Sequence, residues 1–593
     1  MTVEEMRWDL SQLVEIDDAN YVEERLTAAV TLAEEFRDKH RGKIEGYSPK
    51  QIYDLLEEAD NQALQFEGPF MYSFLMYSAD MTQDVAKKLN DRAQEAGMLA
   101  QQALAFMDLE LGKVLSKRPE IISDPALSEY KHKLERIQRR IPHMLSEEQE
   151  QLILAKDKNG INAWSQLQSD WLATRTFKIE VDGEEKEMPY GEITSLYQSP
   201  DRDLRKRANQ VVYSKLGEDE ILWATAVRSV SDDHMRVMKL RKWPSPLTQS
   251  LIANDVDEET INALMNIIQR NASVFQDYLK LKAKAMGLKK LGNWDEIAPL
   301  PFAPDKKYTW DEARKIVTES YMDFDEESGK WMDEMYERRH IDGEVRKGKT
   351  SGAFCATWFA GKSAYILQSF NGILGDLYTQ AHELGHALHA YLGTRNQKPS
   401  NYEIGSCVAE TGSIFGELLL TEKLFATIDD KEAKLAVLNT ILDEFGQAAF
   451  QVSARYFFET KMYEAIEKGK FLDGETIAKL WMESRDMIYG DAMEWLPEMK
   501  WWWTMKLHFY IPNYRYYNYP YVYAQLFVYA MYRLYKEQGK EFVPKLKALL
   551  GAGSSKSPRE LAAEIGFDIT KEAFWQKGID QFAEFIKMFK DTL

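Results

Sequence analysis

His382-Glu383-Leu384-Gly385-His386 stands inside Tyr378–His389, which reads YTQAHELGHALH. Histidines at i and i+4 on a helix share one face, close enough to hold a single metal ion. The glutamate beside the first histidine is then placed to act on water at that metal. With 9 His and 95 Asp+Glu in 593 residues, roughly 0.02 such acidic matches arise by chance, so the motif outweighs a pair of merely packed histidines. Leu377, Ala381, Leu384, Leu388 and Tyr391 recur at helical spacing. They predict a helix over about 371–392 with a buried stripe, and the two histidines beside its edge. Gly393 is placed to stop this helix. His389 shares the face two turns after His382 and reads as a packed histidine, or one that supports a ligand.

A catalytic zinc takes three protein ligands and keeps a fourth position for water. The metzincin pattern continues with a glycine and a third histidine, but the corresponding positions hold His389 and Leu392, which excludes that class. The other route is a glutamate from a following helix. Asn401–Leu420, read as helical, offers Glu403, Glu410 and Glu417 on one face, and spacing alone does not choose among them. Asp376, just before the motif, reads either as a helix cap or as a carboxylate that holds a ligand histidine in place.

Upstream, Gly352–Phe359 and Ser363–Phe370 read as two strands joined through Ala360-Gly361-Lys362. An exposed strand edge beside a peptidase site can pair with an extended peptide, which makes Gly352, Ala353 and Phe354 candidate substrate-binding residues. Residues 1–175 read as successive amphipathic helices, with capping boxes at Ser48–Gln51 and Ser146–Gln149. Thr309–Glu312 repeats the signal. Phe177, Ile179 and Val181 alternate with polar residues before Asp182-Gly183, a hairpin signal. The expected division is a helical region over 1–198 ending in this hairpin, then a catalytic domain over 199–593.

Composition bounds the class. The 45% hydrophobic and 29% charged content is that of a globular protein with a mainly α reading. A net charge of −20 without a basic run excludes nucleic acid as an expected partner. No apolar run is long enough to span a bilayer, so no membrane partner is expected. The acidic N-terminus lacks an apolar leader segment. Cys355 and Cys407 are the two cysteines, read as buried small residues, and this usage suits a reducing cytoplasm.

HELGHALH followed by Val408–Glu417, VAETGSIFGE, resembles the thimet oligopeptidase/oligoendopeptidase F family of zinc metallopeptidases. Arg346–Cys355, Lys506–Tyr510 and Tyr516–Tyr521 carry the same resemblance, and Trp8-Asp9-Leu10 with Ser199–Leu204 is similar to the oligoendopeptidase F branch. The resemblance implies a mainly α body in two halves around a deep channel, with a small β-sheet next to the motif helix. It implies one Zn2+ held by His382, His386 and Glu410, with Glu383 as general base and Glu417 steadying a ligand histidine. His508 matches a family histidine that works with tyrosines on the developing oxyanion. Tyr521 is the matching tyrosine and Tyr514 a second, with Tyr517 as its rival and a further substrate-binding candidate. The expected activity is cleavage of internal bonds in short peptides. A zinc carboxypeptidase or dipeptidase of related fold is the alternative, and a non-catalytic peptide-binding helical protein the reading from another class.

Overall fold

The computed structural model describes residues 6–302, 306–402 and 404–593. The protein is mostly helical and divides into two compact units, each drawn from three stretches of chain. The first comprises Met1–Ile141, Asp305–Thr427 and Met531–Asp568. The second comprises Pro142–Pro304, Ile428–Ala530 and Ile569–Leu593.

In the first unit the capping signals act where they stand. Ser48 and Gln51 close a capping box at the start of the Pro49–Ala79 helix, and Thr309 with Glu312 does so for Trp310–Phe324. Ile52, Leu55 and Leu56 then fall inward against Phe36, Leu111 and Tyr130 in a core of their own. A second core gathers Trp8, Leu26, Leu75 and Leu89 onto Tyr365 and Leu367 of a three-stranded sheet. That sheet runs in the order Ile341–Asp342, Ser363–Leu367, Phe354–Trp358, with the last two strands antiparallel. The strands are thus shorter than the expected Gly352–Phe359 and Ser363–Phe370. Gly352, at φ 88°, and Ala353 precede the edge strand, which Phe354 opens.

The motif helix runs Leu374–Asn396, and its predicted stripe of Leu377, Ala381, Leu384, Leu388 and Tyr391 is buried throughout. Gly393 does not end it. A β-carbon there would stand 2.3 Å from the Tyr402 ring, so this glycine makes room for a packed tyrosine. The expected single helix over 401–420 is also corrected. Ser406–Ala409 makes one turn, Glu410 sits at the break with φ −84° and ψ 6°, and Thr411–Thr427 resumes. Glu403 lies outside the described residues.

In the second unit the hairpin forms as Thr176–Val181 paired with Glu184–Pro189, turning through Asp182 and Gly183 at positive φ. Phe177, Ile179 and Val181 face a core that includes Trp223, Trp503, Phe509 and Tyr517. Lys431–Phe445 continues through a π-helical turn, Gly446–Gln451, into Val452–Glu467. Among the described residues, no helix is long and apolar enough to cross a membrane.

Candidate metal centre and active-site residues

The motif helix crosses Thr411–Thr427 at a point where two glycines meet. A β-carbon on Gly385 would stand 2.3 Å from the Gly412 carbonyl oxygen, and one on Gly412 2.3 Å from that of Gly385. Only backbones without side chains approach this closely. The crossing carries Glu410 and Glu417 up to the two histidines. Nε2 of His382 and Nε2 of His386 each lie 3.3 Å from one Glu410 oxygen, Oε2. Donor atoms of the three side chains all lie within 4.8 Å of one another.

The spacing fits a metal ion. Ligand atoms about 2.0 Å from a tetrahedral zinc stand about 3.3 Å apart. Two imidazoles and a carboxylate are also the donor set of a hydrolytic zinc that keeps one position open. The donors are pre-set from behind. Oε1 of Glu417, itself buried, lies 2.5 Å from His382 Nδ1, which leaves Nε2 to face the cluster. Ser413 Oγ donates to Glu410 Oε2 at 2.7 Å. Burial pushes the Glu410 carboxyl up, but the two imidazoles outweigh it and hold it well below the usual range.

Glu383 is buried, and its Oε2 has no hydrogen-bond partner. Burial raises its carboxyl above the ordinary value against the pull of His382 and His386. An unpaired buried carboxylate oxygen is costly unless something else supplies its partner, which is what a base awaiting a water proton looks like. His389 stands away from the cluster. It is buried, bonds the Ala409 carbonyl just before Glu410, and burial pushes it down to about 3. Asp376 caps the helix: its Oδ2 accepts the N–H groups of Asn371 at 2.6 Å and Ile373 at 3.1 Å. The edge strand with Phe354 carries Cys355, a free thiol, as is the buried Cys407.

His508, Tyr514 and Tyr517 lie in the turns after the Pro497–Met505 segment and Tyr521 in the helix Tyr519–Gln538, all in the second unit. His508 stacks on Tyr517 with ring centroids 4.0 Å apart, and Tyr514 stacks beyond at 5.8 Å. Burial, then the charges of Arg455, Lys506 and Arg515, push the His508 imidazole down to about 4, so it is neutral at pH 7. Tyr514 and Tyr521 are 44% and 47% exposed, whereas Tyr517 is 4% exposed with its hydroxyl accepting from Arg455 Nη1 at 3.4 Å.

Two buried side chains, Arg515 and Glu459, hold this loop. Arg515 donates to the carbonyls of His508 at 2.7 Å and Phe509 at 3.1 Å. Glu459 accepts the Tyr516 N–H at 3.0 Å and the Asn518 amide at 3.1 Å, fixing Tyr516 at φ 53°. Neither residue was singled out from the sequence, nor were Ser413 and Arg455. The available signals were charged residues inside apolar helical stretches and the Gly412-to-Gly416 repeat beside Glu410.

The chain is similar to known peptidases over most of its length. The pattern described as Peptidase family M3 matches residues 195–581, and one described as Oligopeptidase F matches 117–177. Oligopeptidase PepF of Bacillus subtilis is 26% identical over 563 residues, covering 94% of this chain and 83% of the relative. Group B oligopeptidase PepB of Streptococcus agalactiae is 27% identical, covering 98% and 96%. A solved protein from Chlamydophila abortus superposes with a TM-score of 0.88 at 19% identity, covering 100% of this chain and 99% of that one. The oligoendopeptidase-F structure from Enterococcus faecium gives 0.70 at 22% identity, covering 97% and 99%.

Proposed function

The chain belongs to peptidase family M3 and is a metallo-endopeptidase, and on that premise we propose that it is a zinc-dependent oligoendopeptidase acting on internal bonds of short peptides in the cytoplasm. The observation that carries the reading is the 3.3 Å approach of both His382 Nε2 and His386 Nε2 to Glu410 Oε2 beside the unpaired carboxylate oxygen of Glu383. His382, His386 and Glu410 would hold the zinc, which when bound supplies a Lewis acid and brings water within reach of deprotonation near neutral pH.

Glu383 takes the proton of the attacking water and returns it to the leaving amine. Its buried, partnerless oxygen is the support for this role. Glu417 keeps the His382 ring turned toward the metal. The substrate backbone pairs along the edge strand that follows Gly352 and Ala353 and opens at Phe354; that edge position is the support. The resemblance assigns oxyanion donation to His508, Tyr521 and Tyr514. Their side chains support it, since the two phenols are exposed while that of Tyr517 is buried against Arg455.

Mass spectrometry of a mixed digest of short peptides and folded proteins, with and without a chelator, tests the reading. Internal cleavage of the short peptides only, lost on chelation and restored by zinc, is expected. Sequential C-terminal release would replace it with a carboxypeptidase.

A further inference from the structure

Within the second unit, a cavity of about 280 Å3 is lined by two cationic side chains, Arg455 and Lys506. It has room for several waters at about 30 Å3 each. Its polar wall is built by the π-helical turn Gly446–Gln451 and the helix after it, which align Gln447, Gln451 and Arg455. Such π-turns occur frequently at functional sites. Gln451 donates to Gln447, and Arg455 Nη2 donates to Gln451 Oε1 at 2.5 Å. That leaves Arg455 Nε buried without a partner.

Lys506 carries its ammonium over the Trp502 ring at 5.2 Å, and among the described residues it forms no ion pair. Burial and the neighbouring Arg455 charge pull its pKa well below the ordinary value. One carboxylate, Glu296, also lines the cavity, but it is already engaged by the Tyr489 hydroxyl at 2.5 Å, and burial disfavours its charged form. Two basic side chains that share one cavity with a disfavoured counter-charge are stabilised when an anion enters.

We propose that this cavity binds one small tetrahedral oxyanion, such as inorganic sulfate or phosphate, between the Arg455 guanidinium and the Lys506 ammonium. Arg455 Nε supplies a donor that has no other acceptor, and the ammonium supplies up to three more. Occupancy reaches His508 by two short routes. Lys506 stands two residues before it, and Arg455 donates to the Tyr517 hydroxyl whose ring stacks on the imidazole. Neutralising Arg455 and Lys506 removes two of the three positive charges that hold the His508 pKa down.

Sulfate is titrated into the full-length zinc-loaded protein by calorimetry at constant ionic strength, and His508 is followed by NMR against a His508→Gln reference spectrum. Saturable binding of a single sulfate is expected, with an upward move of the His508 pKa. Arg455→Gln and Lys506→Met should each weaken binding about 10-fold or more, the scale of a lost charge-assisted hydrogen bond. Lys506→Arg keeps the cation and should retain binding. Absence of saturable binding to the wild-type protein overturns the proposal whether or not any variant folds. So does binding that both charge-removing variants leave unchanged, since the ion would then sit elsewhere.

Discussion

His382 Nδ1 and Glu417 Oε1 lie 2.5 Å apart, so the histidine that begins the motif is turned by a carboxylate from the neighbouring helix. Glu417→Gln removes the charge but keeps an oxygen of similar reach. Metal affinity, measured by competition with a coloured chelator, should fall about 10–100-fold. Unchanged affinity would mean that the Glu417 contact does not orient the ligand.

Gly385 faces the Gly412 carbonyl with no space for a β-carbon. Gly385→Ala therefore pushes the two helices apart at the point that brings Glu410 to the histidines. Overpacking of this kind costs about 1–3 kcal/mol. A lower urea midpoint and weaker metal binding should appear together. Gly42, whose added β-carbon meets nothing within 4 Å, has φ 78° and would respond through backbone strain instead, with metal affinity intact.

Tyr521 and Tyr517 separate two assignments for the oxyanion donor. Tyr521→Phe removes an exposed hydroxyl and should lower kcat about 10²–10³-fold with KM little changed. Tyr517→Phe should act more weakly, because its hydroxyl is already engaged with Arg455. The reverse order in steady-state kinetics would transfer the role to Tyr517.

Glu459 gives a pH signature of stability. Burial pushes its carboxyl up to about 7 from an ordinary 4.5, against the Arg515 charge and the Tyr516 N–H. Between those values the folded protein keeps a proton that the unfolded chain has released. Its contribution to stability therefore falls as pH rises from 4.5 to 7 and is level above that. The slope is at most about 1.4 kcal/mol per pH unit. Glu459→Gln should remove it, so that urea midpoints of variant and wild type diverge as pH rises through this window. Parallel midpoints would contradict the assignment.

Much of this was legible in the residues themselves. The 3.6-residue stripe from Leu377 to Tyr391 is a local property, and so are the capping boxes at Ser48 and Thr309, and each formed where its pattern stood. The two histidines were legible because one helix carries both. The break at Glu410 was not, because seven-residue spacing from Glu403 to Glu417 looks like one continuous face. The Gly385–Gly412 crossing, a contact between distant segments, brings Glu410 beside His382 and His386. Gly393 misled for the same reason. Its role is set by Tyr402 across the packing rather than by its neighbours in sequence. Arg455 was silent because an arginine in a helix ordinarily points to water, whereas here its Nε is buried.

In the proposed reaction Glu383 is the base beside a zinc that His382, His386 and Glu410 would hold. The most direct test is Glu383→Gln, assayed in parallel for bound zinc by elemental analysis and for cleavage of a defined peptide. Zinc content equal to wild type with kcat reduced by about 10²–10⁴-fold or more is the predicted result. A zinc-loaded variant that cleaves the peptide at the wild-type rate would contradict it.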